Sequence, residues 1–174
     1  MNSNKLKLSD VCLIALALFY LIMLGGGNYE QLTITRLVTS EPPKSLYILQ
    51  GPYGFRPMAF WATFRPITIF LFIVTLITNW KHAGARRNLL IIAFCIDVAT
   101  TIATYTYFAP ETGAIANAAY DPSIVDAGQL QRAQLWKNMN WIRLGAFYVN
   151  ALVVLLALRI PTNNVKLNQP AIIQ

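Results

Sequence analysis

Trp136, Asn140, Arg143, Phe147 and Asn150 recur every three or four residues toward the C-terminal end of the chain. On a helix that spacing gathers an indole, two amides and a guanidinium into one stripe. Such groups can stack on a flat ring, orient its oxygen atoms and stabilise negative charge developing on it. Asp97 heads a second stripe, with Thr101, Thr104 and Phe108 following at helical spacing. Glu30 and Arg65 complete the set of charged groups set among apolar residues. A carboxylate in apolar surroundings is a stronger base than one in water, and a guanidinium there can stabilise an anion, so Asp97, Glu30, Arg65 and Arg143 are the candidate reactive groups.

The elements that must position these residues are membrane helices. The chain has 174 residues, 56% of them hydrophobic and only 12% charged, and a mean hydropathy of +0.47. Soluble domains carry about a quarter charged residues. The expected fold is all-α, a membrane four-helix bundle forming a single domain over 1–174, with spans at about 11–27, 58–80, 88–108 and 141–160. A long, Pro- and Gly-punctuated first outer loop precedes the second span, with Leu46–Gln50 as a short turn of helix and Tyr47, Tyr53, Phe55, Phe60 and Trp61 as an aromatic belt. Pro66 is expected to kink the second span. A loop of about thirty residues should follow the third. Its last part, from about Ala127, reads as a helical extension of the fourth.

The start of the chain also has the pattern of a signal peptide, with Lys5 and Lys7 before an apolar run that ends in small residues. Close helix packing is the preferred reading of Gly25, Gly26 and Gly27, and the helical pattern continues past Asn28 to Arg36.

The net charge of +7 does not point to nucleic acid, because no basic block or basic helix with interleaved aromatics exists. Lys5, Lys7, Lys81, Arg86, Arg87, Arg159 and Lys166 instead crowd short segments on one side of the spans. That density places both termini in the cytoplasm, in a membrane of the bacterial inner type. Arg86 and Arg87 read as a topology signal against anionic lipid, and His82 as a solvated loop residue. Cys12 and Cys95 both lie in apolar segments, and one histidine is too few for haem, zinc or iron sites. No cofactor and no metal are expected.

A charged side chain at the centre of a span is unfavourable by about 2.5–3.5 kcal/mol on insertion scales. Arg65–Asp97 and Arg143–Glu30 are therefore natural pairs, and the swapped pairing fits the sequence equally well. The two stripes suggest a cleft opening outward, with Trp136 and Trp141 at its mouth. The bland alternative is an ion-pair network that fixes helix register.

The segment from Ala133 to Arg143 resembles a signature of the anthrone oxygenase family of four-span membrane proteins, which places Trp, then Asn or His four residues on, then Arg three further. Here those positions are Trp136, Asn140 and Arg143. The resemblance extends to glycines late in the first span and a Pro-rich outer loop. It implies oxygenation of an anthrone-like ring to a quinone without metal or flavin, on a hydrophobic aromatic small molecule. On that reading Asp97, Glu30, Arg65 and Arg143 are catalytic, and Trp136, Asn140, Trp141, Thr101 and Asn150 bind substrate. Asn140 stands where some members carry His, so proton transfer is not expected there. The competing class is a non-catalytic accessory subunit, or a lipid or quinone binder, partnered in a homo-oligomer or membrane complex. A claudin-like module would need an outer-loop cysteine pair, and a transporter would need inverted halves; neither is present.

Overall fold

The computed structural model describes residues 7–81, 84–116 and 127–161, and places four helices long and apolar enough to cross a membrane. They are α1 (Leu8–Val38), α2 (Pro57–Asn79), α3 (Ala85–Ala116) and α4 (Ala127–Arg159). The expectations for Lys5, His82, Lys166 and the tail lie outside the described residues. Each helix packs on its two neighbours in chain order, and α4 closes back onto α1, giving an up-and-down four-helix bundle. The end holding the start of α1 and the end of α4 is called the base here, and the opposite end the crown.

The helices form because each span is almost free of glycine, proline and charge over the lipid-facing stretch, and a backbone in hydrocarbon must satisfy its own hydrogen bonds. Leu13, Leu16, Tyr20, Met23, Phe72, Leu90 and Val154 build the central core. Phe70, Ile77, Ile102, Ile142 and Leu152 stay exposed on the outer face, where lipid replaces water as the solvent. A second cluster in the crown joins Val38, Leu46, Phe108, Ile115 and Trp136. It is closed by the Lys44–Leu49 3-10 turn, by a Gln134 Nε2 bond to the Thr39 carbonyl at 3.0 Å, and by the Arg132–Glu111 ion pair.

Three expectations need correction. The third span does not stop near Phe108; after a π turn at Thr104–Phe108 the chain stays helical to Ala116, so the expected thirty-residue loop is mostly helix. A second π turn, Glu30–Ile34, interrupts α1. Trp61 leaves the aromatic belt for the core, where it is 7% exposed, while Tyr47 and Tyr53 remain outside. Arg86 is not a lipid contact. It is buried, pairs with Asp10 at 2.8 Å, and donates to the Ile160 and Ser9 carbonyls, tying α3 to both ends of the chain at the base. Asn79 adds a bond to the same Ser9 carbonyl at 3.3 Å. The Ile160 carbonyl lies past the last turn of α4 and has no partner within that helix, so Arg86 supplies one, while the Ser9 carbonyl in the first turn of α1 takes Arg86 and Asn79 as additional donors.

α2 runs on through Pro66, which deprives the Ala62 carbonyl of its usual donor. The glycines of α1 allow close approach: a Cβ on Gly26 would lie 2.5 Å from the Phe60 ring, and one on Gly27 3.1 Å from Leu144. Phe60 has little room to yield, since it stacks on Phe64 at 4.5 Å and meets Trp61 at 5.2 Å. Gly25 faces open space. Gly26→Leu should therefore destabilise the detergent-solubilised protein by about 1–3 kcal/mol through overpacking, whereas Gly25→Leu should leave the thermal midpoint nearly unchanged. Equal midpoints for the two variants would remove the packing role.

Candidate functional site

The inward polar residues separate into two tiers. In the deep tier all four helices meet at Asp97, which is fully buried. Arg65 Nη1 donates to its Oδ1 at 2.8 Å, and Tyr20 Oη donates to the same oxygen at 3.1 Å. Asn150 Nδ2 donates to Tyr20 Oη at 2.7 Å. Arg65 Nη2 reaches the Asp97 carbonyl at 3.2 Å and Thr100 Oγ1 at 2.9 Å. The guanidinium also sits 5.3 Å from the centre of the Phe147 ring. Asp97 Oδ2, Asn150 Oδ1 and Arg65 Nε take no hydrogen-bond partner among the described residues.

The upper tier lies toward the crown, with Trp61 about one turn above Arg65, Arg143 about two above Asn150 and Glu30 about three above Tyr20. Glu30 is delivered by the π turn of α1, and its Oε2 accepts from the Trp61 indole N–H at 2.6 Å. Arg143 is half-buried between two rings, 4.2 Å from the centre of Phe108 and 5.5 Å from that of Trp61. Among the described residues no carboxylate oxygen comes within 4.0 Å of its guanidinium. Glu30 and Arg143 instead face each other across a cavity of about 10 Å³ that Gln31, Trp61 and Asn140 also line. That is close to the volume of one water molecule. Asn140 Nδ2 caps the Trp136 carbonyl at 3.1 Å, which leaves its oxygen for the cavity side.

Two apolar grooves flank this cavity. One, about 410 Å³, opens between α3 and α4, with Thr100, Tyr107, Phe108, Met139 and Ile142 on its walls and Arg143 among them. The other, about 500 Å³, opens between α1 and α2 beside Gly25, Gly26, Phe55 and Phe60, and Glu30 borders it. Arg143 thus borders both the small cavity and the α3–α4 groove, and Glu30 both the cavity and the α1–α2 groove. The arrangement can seat a flat apolar molecule with an oxygen at the guanidinium, and it can exchange a proton through a small polar space.

The C-terminal stripe faces inward as its spacing predicts: Trp136, Asn140, Phe147 and Asn150 are buried. They do not share one space. Asn150 belongs to the deep tier, and Trp136 is packed into the crown cluster with its indole N–H unpartnered. Trp141, expected to stack on a ligand, turns outward and is 45% exposed. Thr101 donates to the Asp97 carbonyl at 2.7 Å and lines neither groove; Thr100, one residue earlier, lines the α3–α4 groove and meets Arg65. Tyr20, Trp61 and Gln31 were not foreseen. A lone hydroxyl in an apolar run was the only sign of Tyr20, and the π turn that aims Gln31 inward leaves no trace in a hydrophobic pattern. Among the described residues no three His, Cys, Asp or Glu side chains gather to hold a metal ion.

Removing one partner of a buried pair leaves an uncompensated charge. Arg65→Met should destabilise the bundle by about 3–5 kcal/mol, read as thermal unfolding in detergent. Arg65→Met combined with Asp97→Leu should recover most of that loss; a double variant no better than the single one would contradict the pairing. No family model, curated protein or solved structure matches this chain.

Proposed function

We propose that this chain is a cofactor-independent membrane oxygenase of the anthrone oxygenase type, acting on a flat phenolic or quinone-like molecule in the α3–α4 groove. The observation that carries the reading is Arg143: a guanidinium held between two aromatic rings, with no ion-pair partner within 4.0 Å among the described residues, on the wall of an apolar groove of about 410 Å³. A site of that kind favours an oxyanion over a neutral oxygen, because the donor is preorganised where water is scarce. The resemblance around Trp136, Asn140 and Arg143 supports the same substrate class.

In this reading Arg143 holds the ring oxygen as it becomes an enolate, and Glu30 receives the ring C–H proton through the small cavity that the two residues share. The carbanion donates its electron pair to dioxygen from the bilayer, forming a C–O bond. Return of the proton gives a hydroperoxide. Loss of the second C–H proton with cleavage of the O–O bond releases water and leaves the new carbonyl, so that CH2 and O2 become C=O and H2O. Asp97 is not the base: it is sealed in the deep tier, and its role is to hold Arg65 and Tyr20.

A second reading, a binder of quinone or lipid without turnover, is favoured by the Trp61 indole already occupying one Glu30 oxygen. Purified protein in detergent distinguishes the two. With an anthrone as probe, oxygen uptake and quinone absorbance should appear together, and Arg143→Ala should reduce turnover by about 100-fold or more. Wild-type turnover in Arg143→Ala would remove its role. Tight binding of the probe with no oxygen uptake in the native protein would leave the binder as the correct reading.

A further inference from the structure

The base carries a different surface. A third groove of about 510 Å³ runs between α2 and α3, walled by Ile73, Leu76, Ile77 and Phe94 and ended by Trp80 and Lys81. Arg87 completes that end, its guanidinium 5.6 Å from the centre of the Trp80 ring. The cations here are not equivalent. Arg86 takes Asp10, the acidic residue at the start of α1, at 2.8 Å. Among the described residues Lys81 and Arg87 have no carboxylate within 4.0 Å. Two unneutralised cations therefore flank one exposed tryptophan at the head of an apolar channel.

We infer that this groove binds one anionic phospholipid, with an acyl chain along Ile73, Leu76 and Ile77 and the phosphate between Lys81 and Arg87. The polarity of the groove matches that amphiphile, because the apolar walls end where the cations begin. Trp80, 57% exposed, sits where an indole prefers to lie, at the boundary of headgroup and chain. Its ring holds the Arg87 side chain over it through cation–π attraction, so the guanidinium is preset at the end of the groove that Trp80 and Lys81 line. A zwitterionic lipid would gain less, since its own ammonium group would meet the same two cations. The site lies at the opposite end of the bundle from Arg143 and does not depend on the reaction proposed there.

Native mass spectrometry of the full chain in detergent tests the assignment, with phosphatidylglycerol and phosphatidylcholine of identical acyl chains as probes. One phosphatidylglycerol should be retained in preference to phosphatidylcholine. Lys81→Gln/Arg87→Gln should cut that retention by about fivefold per charge removed, while Arg56→Gln in the crown should not change it. Equal retention of the two lipids, or unchanged retention in the double variant, overturns the site. Displacement by soluble glycerophosphate would overturn the role of the groove. Should the double variant fail to fold, Lys81→Gln alone and Ile77→Trp, which fills the groove, decide by the same measure.

Discussion

A carboxylate in the middle of a hydrocarbon-level core has to be answered by the protein, because nothing else at that depth can do so. Asp97 is answered from two other helices: a guanidinium from α2 and a phenol from α1, the latter held in turn by an amide from α4. Each bond is directional, so the contact fixes both the depth and the rotation of every helix. Apolar packing alone would not, since lipid tails offer side chains nearly the same environment as a neighbouring helix. The glycines of α1 complete the constraint by letting Phe60 and Leu144 come close. With the deep tier locked, the crown can hold polar groups that are less completely paired.

The contrast between the two arginines shows what that permits. Arg65 meets a carboxylate, a carbonyl and a hydroxyl, and its charge is neutralised within the bundle. Among the described residues Arg143 meets two ring faces and no carboxylate within 4.0 Å, and each ring contact contributes about 0.5–2 kcal/mol at best. Phe147 stands between the tiers, touching the Arg65 guanidinium on one side and the Trp61 ring, 5.9 Å away, on the other. It keeps Arg143 from sharing the Asp97 carboxylate. Glu30, the remaining counter-charge, is separated from Arg143 by a cavity and engaged by the Trp61 indole. The guanidinium therefore retains most of its capacity for an anion arriving from the groove.

Much of this was legible in the sequence, for a physical reason. Hydropathy reports where hydrocarbon lies, so the four spans and the all-α bundle follow from composition and run length. The period of 3.6 reports which face is inward, so Asp97, Asn140, Phe147 and Asn150 were placed on the correct side. Depth made Arg65 and Asp97 a natural pair. The failures have physical causes as well. A π turn inserts one residue into a helix without changing its composition, so neither Glu30–Ile34 nor Thr104–Phe108 could be seen. Pro110 follows the second of these and reads as a stop, yet the helix passes through it to Ala116. Arg86 reads as a lipid contact because the sequence does not show that Asp10, the Ser9 carbonyl and the open carbonyl of Ile160 converge on it. Trp141 follows Asn140 directly, and on a helix adjacent residues point about 100° apart. Both could not face the same ligand.

The placement of the π turns ties fold to site. Each sits at the crown end of its helix, and each supplies a group that bounds Arg143: Glu30 across the small cavity, Phe108 across the ring contact. A π turn shifts the phase of everything beyond it by one residue, so the core periodicity set by Asp97 and Tyr20 below need not continue above. That release lets Glu30 and Gln31 reach the same space from α1, and lets Phe108 lie over a guanidinium that belongs to α4. At the base the polar groups between the helices are paired with one another, Arg86 with Asp10 and with the Ser9 and Ile160 carbonyls. At the crown the two interruptions coincide with the groups that bound Arg143 and leave its guanidinium on the wall of the α3–α4 groove.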